Sequence, residues 1–287
     1  MEHAEVREVL VTASQRLAAA GCATPGLDAE LLLAHTLGRE RTWLYMYPQH
    51  RLQADQLAKF DELLYRRERR EPVAYLIGHK EFFGLEFQVN RHVLIPRPET
   101  ELLVETALAL YPANTTLKIV DVGAGSGCIA ITLAKHLPGA RVLASDASTE
   151  ALLLARQNAR YHQVADRVAF LWGDLLQPVG QPVDLIVSNP PYVSRAELTE
   201  TAPEVRLYEP RPALDGGIDG LAVIRQLLTQ AGKKLKPGGA LLVEIGSSQG
   251  EQVIQLAGRH FAKAELTIKK DLAGLDRLLV VRLNKNI

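Results

Sequence analysis

Over the first 75 residues, apolar positions recur at the spacing of a helix. In "EVREVLVTASQRLAAAG", Val6, Val9, Leu10, Ala13 and Leu17 fall on one face, and Gly21 offers a stop. "LDAELLLAHTLG" predicts a second helix with Asp28 as its N-cap and Gly38 at its C-terminal end. "ADQLAKFDELLYRRERREP" predicts a third, ended before Pro72. Together they would bury Leu10, Leu17, Leu31, Leu32, Leu57, Phe60 and Leu64 in a small all-helical domain over residues 1–75. The period then changes. In "KEFFGLEFQVNRHVLIPRPE", Phe83, Leu85, Phe87 and Val89 alternate, and Asn90-Arg91 can return the chain into "HVLI", which predicts a β-hairpin linker over 76–98. From Glu99 onward helical and strand patterns take turns: "ELLVETALAL", "LKIVDVG", "GCIAITLAKHL", "RVLASD", "TEALLLARQNARYH", "VAFLWGD", "VDLIVSNPPY". After a less regular stretch come "GLAVIRQLLTQAGKKL", "ALLVEIG" and two closing strand-like runs around Leu266 and Leu279. Such alternation predicts a Rossmann-like α/β domain over 99–287, with a seven-stranded, mostly parallel sheet covered on both faces.

Composition narrows the class of function. Lys plus Arg equals Asp plus Glu at 33 each, giving a formal net charge of +0. A dedicated duplex-DNA binder usually carries a basic face, so the balance argues against one. The densest basic run, "YRRERRE", is broken by acids and lies on a predicted helix, where a solvated face is the simpler reading. Cys22 and Cys128 are far apart and lack metal-ligand spacing, which suits a reducing compartment and predicts no metal site. The start "MEHAEVREVLV" lacks the basic region and long apolar core of a signal peptide, and no apolar run approaches ~18 residues. The expectation is a cytoplasmic protein.

The chemistry gathers at the predicted strand ends. "IVDVGAGSGCIAI" is a strand, a glycine turn and a helix; Gly123, Gly125 and Gly127 permit tight turning and close approach of a ligand. A dinucleotide fingerprint would need glycine where Cys128 stands, and a Walker loop would need Gly-Lys-Ser/Thr. The spacing instead resembles the first motif of Rossmann-like methyltransferases that bind S-adenosylmethionine. Asp146, about 20 residues on, can accept both ribose hydroxyls, although capping the next helix is the plainer alternative. At the third strand end, Trp172 can lie against an adenine and Asp174 can accept from its amine; a core aromatic and a loop acid are the alternatives.

The fourth strand ends in "SNPPYVS". Two prolines cannot extend a central strand, and they stiffen the backbone on both sides of Asn189. The loop resembles the Asp/Asn-Pro-Pro-aromatic motif of methyltransferases that modify planar nitrogens. An amide or exocyclic amine attacks a methyl poorly because its lone pair is delocalised. The Asn189 side-chain oxygen and the Pro190 carbonyl can accept both N–H bonds and orient that lone pair, while Tyr192 can stack on the planar group. No general base is expected.

"YLIGHKEFFGLEFQVNRHVLIPRPETELLVE", "DVGAGSGCIAI", "SNPPYV" and "YEPRPALDGGIDGL" together resemble the PrmC/HemK family, and the resemblance covers nearly the whole chain. It implies a protein-glutamine N5-methyltransferase that uses S-adenosylmethionine, leaves S-adenosylhomocysteine, and acts on the Gly-Gly-Gln glutamine of class-1 peptide chain release factors. The helical domain would add substrate contacts. Carried over by position, Gly123, Ala124, Gly125, Ser126 and Gly127 would embrace the methionine part of the cofactor. Asp146 would hold its ribose, and Trp172 would touch its adenine. Asn189, Pro190, Pro191 and Tyr192 would hold the glutamine amide, with Asn189 also bordering the cofactor. Arg97 and Glu99 would close the site, although "RPETE" is also an ordinary proline-led helix start. Three other readings stay open at this point: an adenine amino-methyltransferase acting on a flipped base, a ribosomal-protein glutamine methyltransferase, and a cofactor-binding scaffold without turnover.

Overall fold

The computed structural model describes residues 4–284; the three outermost residues of the expected first and last domains lie outside the described residues. The chain divides into two compact units, residues 1–79 with 202–208, and residues 80–201 with 209–287.

The first unit contains α1 (Val6–Ala19), α2 (Pro25–Leu37), α3 (Arg41–Met46), α4 (Ala54–Glu68) and α5 (Val73–Ile77). Leu17, Leu32, Phe60 and Leu64 are buried together, and Leu10 and Leu57 pack at the edge of that core. Leu31 is only half-buried. Asp28 does not cap α2. Proline is pre-organised for the first helical position, so α2 starts upstream at Pro25 with Thr24 as N-cap. Asp28 instead lies buried and accepts from Arg67 Nε at 2.8 Å, since a buried carboxylate requires a partner. Residues 203–208 form a short helix of this unit, and its Glu204 accepts from Arg67 at 2.9 Å and Arg70 at 2.7 Å. Burial works to raise the Glu204 pKa, but the two arginines prevail and hold it at about 2.

The hairpin pairs β1 (His79–Phe82) with β2 (Leu85–Gln88). Its turn is Phe83-Gly84, with φ of 54° and 71°, and not Asn90-Arg91. Two successive positive φ values are what a tight hairpin turn demands, and glycine takes the second without strain. "HVLI" is therefore not a strand; Val93 and Ile95 are apolar because that irregular segment is buried.

The rest of the second unit runs α6 (Glu101–Leu110), β3 (Leu117–Val122), α7 (Cys128–His136), β4 (Ala140–Asp146), α8 (Thr149–Tyr161), β5 (Val168–Trp172), β6 (Val183–Ser188) and α9 (Arg195–Glu200). After α10, the 203–208 helix above, come α11 (Ala222–Ala231), β7 (Leu235–Glu244), α12 (Gly250–His260), β8 (Glu265–Lys270) and β9 (Asp276–Arg282). Seven strands form one sheet in the order β5-β4-β3-β6-β7-β9-β8. β3 to β7 are parallel, and β9 lies antiparallel to both neighbours. Alternation along β3 builds two cores: Leu117 and Ile119 pack with residues of α6, α7 and α8, while Val120 and Val122 pack with residues of α11 and α12. The chain moves outward from β3 through β4 to β5, then returns to β6 on the other side of β3. That reversal opens a crevice at the carboxyl ends of β3 and β6, the usual ligand position in such sheets.

Candidate active site

The glycine turn follows β3, and each glycine answers a different constraint. Gly125 sits at φ +55° facing open space, so conformation alone demands glycine there. Gly127 has φ +81°, and a Cβ on it would come within 2.9 Å of Ile131 and 3.1 Å of Ala155, so it also lets α7 and α8 approach. The turn is tied to the end of β4: Gly123 and Ala124 N–H donate to the Ser145 carbonyl, and Gly125 N–H donates to Asp146 Oδ2 at 2.8 Å. Asp146 Oδ1 accepts from Ser148 N–H at 2.8 Å. The cap of α8 is Ser148, whose Oγ accepts from Ala151 N–H, so capping does not account for Asp146.

A cavity of about 530 Å³ extends from this turn to the Asn-Pro-Pro loop. Of the residues singled out in the sequence, Gly123, Ala124, Gly125, Ser126, Asp146, Asp174, Arg97, Asn189 and Pro191 line it. Gly127, Glu99, Trp172, Pro190 and Tyr192 are not among its lining residues. Trp172 is 68% exposed beside it, donating from Nε1 to the carbonyl of Ala147, which does line it. Glu99 is exposed. Tyr192 differs from expectation: its ring does not face the cavity. Its hydroxyl donates to Glu244 at 3.1 Å, Gln249 Nε2 donates to its carbonyl at 2.9 Å, and its ring packs against the core under α11 and α12. Burial and the nearby Glu244 charge raise the Tyr192 pKa and keep the hydroxyl protonated.

Several residues escaped the sequence reading. Thr100, buried at the start of α6, accepts from Asn189 Nδ2 at 3.0 Å. Glu209 is buried and holds Arg97 in place while accepting from Ile95 N–H. Gln249 clamps the loop after Tyr192, reaching Gly246, Tyr192 and Gly220. Asp121 lies fully buried near the glycine turn; Ala130 N–H donates to its Oδ2, its Oδ1 has no partner among the described residues, and burial raises its pKa to about 7. A signal existed for Asp121, in "IVDVG", and for the Tyr192 partner Glu244, in "LLVEIG", because each is a lone acid in an apolar strand. Cys128 lines the cavity, and burial pushes its thiol up to about 12. Among the described residues no cluster of His, Cys, Asp and Glu could hold a metal, and no helix is long and apolar enough to cross a membrane.

The strand order, the glycine turn and the acids at successive strand ends define a Rossmann-like methyltransferase. A solved methyltransferase from Pyrococcus furiosus shares the fold, with a TM-score of 0.55 and 19% identity over 78% of this chain and 99% of that one. The PrmC N-terminal domain model matches residues 8–78, and the methyltransferase small domain model matches residues 98–214. The release factor glutamine methyltransferase of Caulobacter vibrioides is 42% identical over 269 residues, covering 93% of each chain. That of Geobacter sulfurreducens is 43% identical over 275 residues, covering 96% of this chain and 95% of its own. The chain belongs to the release factor glutamine methyltransferase family, as its motifs implied.

Proposed function

We propose that this protein transfers a methyl group from S-adenosylmethionine to the side-chain amide nitrogen of the Gly-Gly-Gln glutamine in class-1 peptide chain release factors, in the cytoplasm. The observation that carries this reading is the state of Asn189. Its Nδ2 is engaged by Thr100, which leaves Oδ1 as the atom offered to a substrate N–H inside the cavity that also holds the glycine turn.

The residues present suit the cofactor. Asp146 spends one acceptor position of each oxygen on Gly125 and Ser148 and retains a second on each for ribose hydroxyls. Gly125 is open to close approach, and Trp172 is available at the cavity's side for a purine face. Bound there, S-adenosylmethionine supplies an electrophilic methyl on a positively charged sulfur. The protein's own part is to hold the nucleophile. Asn189 Oδ1 and the Pro190 carbonyl take the two amide N–H bonds and turn the nitrogen lone pair toward the methyl. Orientation of this kind can contribute up to ~7–11 kcal/mol. A glutamate offers no donors to these two acceptors, and sites built this way reject such analogues by ~10⁴–10⁵. Once methylated, the nitrogen is acidic enough to lose its proton without a dedicated base. Arg97, fixed by Glu209, stands at the cavity wall to meet the substrate backbone, with Glu99 beside it, and the helical unit supplies further contacts to the release factor.

The test is transfer from labelled S-adenosylmethionine to a purified release factor, to the same factor with its Gly-Gly-Gln glutamine replaced, and to DNA and RNA. Label on the intact factor alone is expected. Label on nucleic acid, or equal label on the altered factor, would overturn the reading.

A further inference from the structure

The β-hairpin has no task in the proposed function, yet a buried side chain of α8 ties it to the glycine turn. Asn158 is 0% exposed. Its Oδ1 accepts from Gln88 N–H at 2.9 Å, and its Nδ2 donates to the Gln88 carbonyl at 3.0 Å. The amide thus takes the place of a neighbouring strand at the end of β2. The other Nδ2 hydrogen goes to the Ser126 carbonyl at 2.9 Å, inside the glycine turn. Both donors of the amide and its oxygen are in use.

Ser126 lines the cavity, and a few residues beyond Gln88 the chain enters a segment in which Arg91, Val93 and Arg97 line it too. One amide therefore holds the chain at two parts of the lining. Elsewhere the turn is tied to Ser145 and Asp146 at the end of β4, so Asn158 adds an anchor that does not depend on that strand. The hairpin has a second seat on the end of α8. Phe87 is buried with its ring centroid 4.8 Å from that of His162, and His162 Nε2 lies 2.7 Å from the Glu86 carbonyl. A carbonyl only accepts, so Nε2 carries the hydrogen of that bond. These contacts hold the hairpin without reaching the turn. We infer that Asn158 is a positioning residue for the cofactor: it fixes the Ser126 corner of the glycine turn to the end of the hairpin and makes the hairpin part of the binding site. The inference rests on the proposed reading of the cavity as the S-adenosylmethionine site.

The experiment measures calorimetric affinity for S-adenosylmethionine and melting temperature in the wild type, Asn158→Asp, Asn158→Ala and His162→Phe. Asn158→Asp keeps the shape and the acceptor for Gln88 N–H but sets an oxygen against two carbonyls. Both Asn158 variants are expected to lower affinity at least ~10-fold, the effect of about one hydrogen bond. His162→Phe keeps a ring against Phe87 and loses the bond to Glu86, so it should melt lower with cofactor affinity near wild type. Equal loss of affinity in His162→Phe would mean that any loosening of the hairpin suffices, and the inference would fall. Unchanged affinity in a folded Asn158 variant would also overturn it. The wild type supplies a measurement that does not depend on any variant folding. Coupling is reciprocal, so saturating cofactor should slow hydrogen exchange of the Gln88 amide, and more than that of amides in β8 at the sheet edge opposite β5. No added protection at Gln88 would sink the inference. A wild type that binds no S-adenosylmethionine sinks the reading of the cavity and this inference with it, whereas wild-type binding with insensitive Asn158 variants sinks the inference alone.

Discussion

Asn189 and Asp146 both line the cavity, but their bonds assign them different work. The Asn189 side chain bonds to Thr100, whereas the glycine turn is tied to Ser145 and Asp146, so removing that side chain leaves the turn's own bonds in place. Asn189→Ala should cut methyl transfer about 10²-fold or more, since misplacing the nucleophile by an ångström can cost that much, while calorimetric affinity for S-adenosylmethionine stays near wild type. Parallel loss of rate and affinity would move Asn189 into the cofactor site. Asp146 joins the turn to α8 through Gly125 and Ser148 and lines the cavity beside that turn, where the proposed function puts the cofactor. Asp146→Ala should weaken cofactor binding by ~1.5–3 kcal/mol, the usual cost of a hydrogen bond to a charged group. Unchanged affinity would reduce Asp146 to a brace for the turn.

At the scale of elements, the Asn-Pro-Pro-Tyr loop keeps its shape because a second segment lies against it. Val193 N–H donates to the Leu214 carbonyl, Gly216 N–H donates to the Val193 carbonyl, and Arg195 N–H donates to the Gly217 carbonyl. Gly220 is the tightest point: at φ +74°, a Cβ would sit 2.4 Å from the Tyr192 carbonyl oxygen and 2.6 Å from Gln249 Nε2. Gly220→Ala should therefore lower thermal stability by more than ~1 kcal/mol and reduce kcat through displacement of the loop. A variant with normal melting temperature and normal kcat would show that this contact is not what holds the loop. The example also marks what the sequence could disclose. The strands, the helices between them and the glycine turn were legible because their periods and turn residues are local. What "ALDGGIDGL" touches was not legible, because its contacts are with residues some twenty positions earlier in the chain. Tyr192 was placed against the substrate by motif chemistry, yet its orientation is decided by Glu244 and Gln249, which come much later in the chain. The hairpin turn was misplaced for a local reason: the apolar alternation ran straight through Phe83, and a positive φ at a bulky aromatic leaves no trace in a pattern of polarity.

For the molecule as a whole, shifted carboxylates give the two units opposite responses to pH. Glu204 in the first unit has a pKa of about 2 against an ordinary 4.5. Its contribution to stability is intact above 4.5 and is lost as pH falls toward 2. Asp121 in the second unit is shifted the other way, to about 7 from an ordinary 3.8, with burial the main cause and the Asp146 charge adding to it. Between those values the folded protein keeps the proton that the unfolded chain has released, so raising the pH from about 4 to 7 favours unfolding, and the effect levels off above 7. Glu209 and Glu244, also raised by burial, act with the same sign. Asp121→Asn isolates one contributor, because asparagine can still accept from Ala130 N–H but cannot ionise. The variant should melt a few degrees above wild type at pH 7 to 8, given ~2–4 °C per kcal/mol in a domain of this size, and the advantage should vanish by pH 4. Melting curves at closely spaced pH values check it. If the two proteins keep a constant separation across the range, Asp121 ionises as an ordinary surface acid would, and the strain of a buried carboxylate near the glycine turn is relieved by some other route.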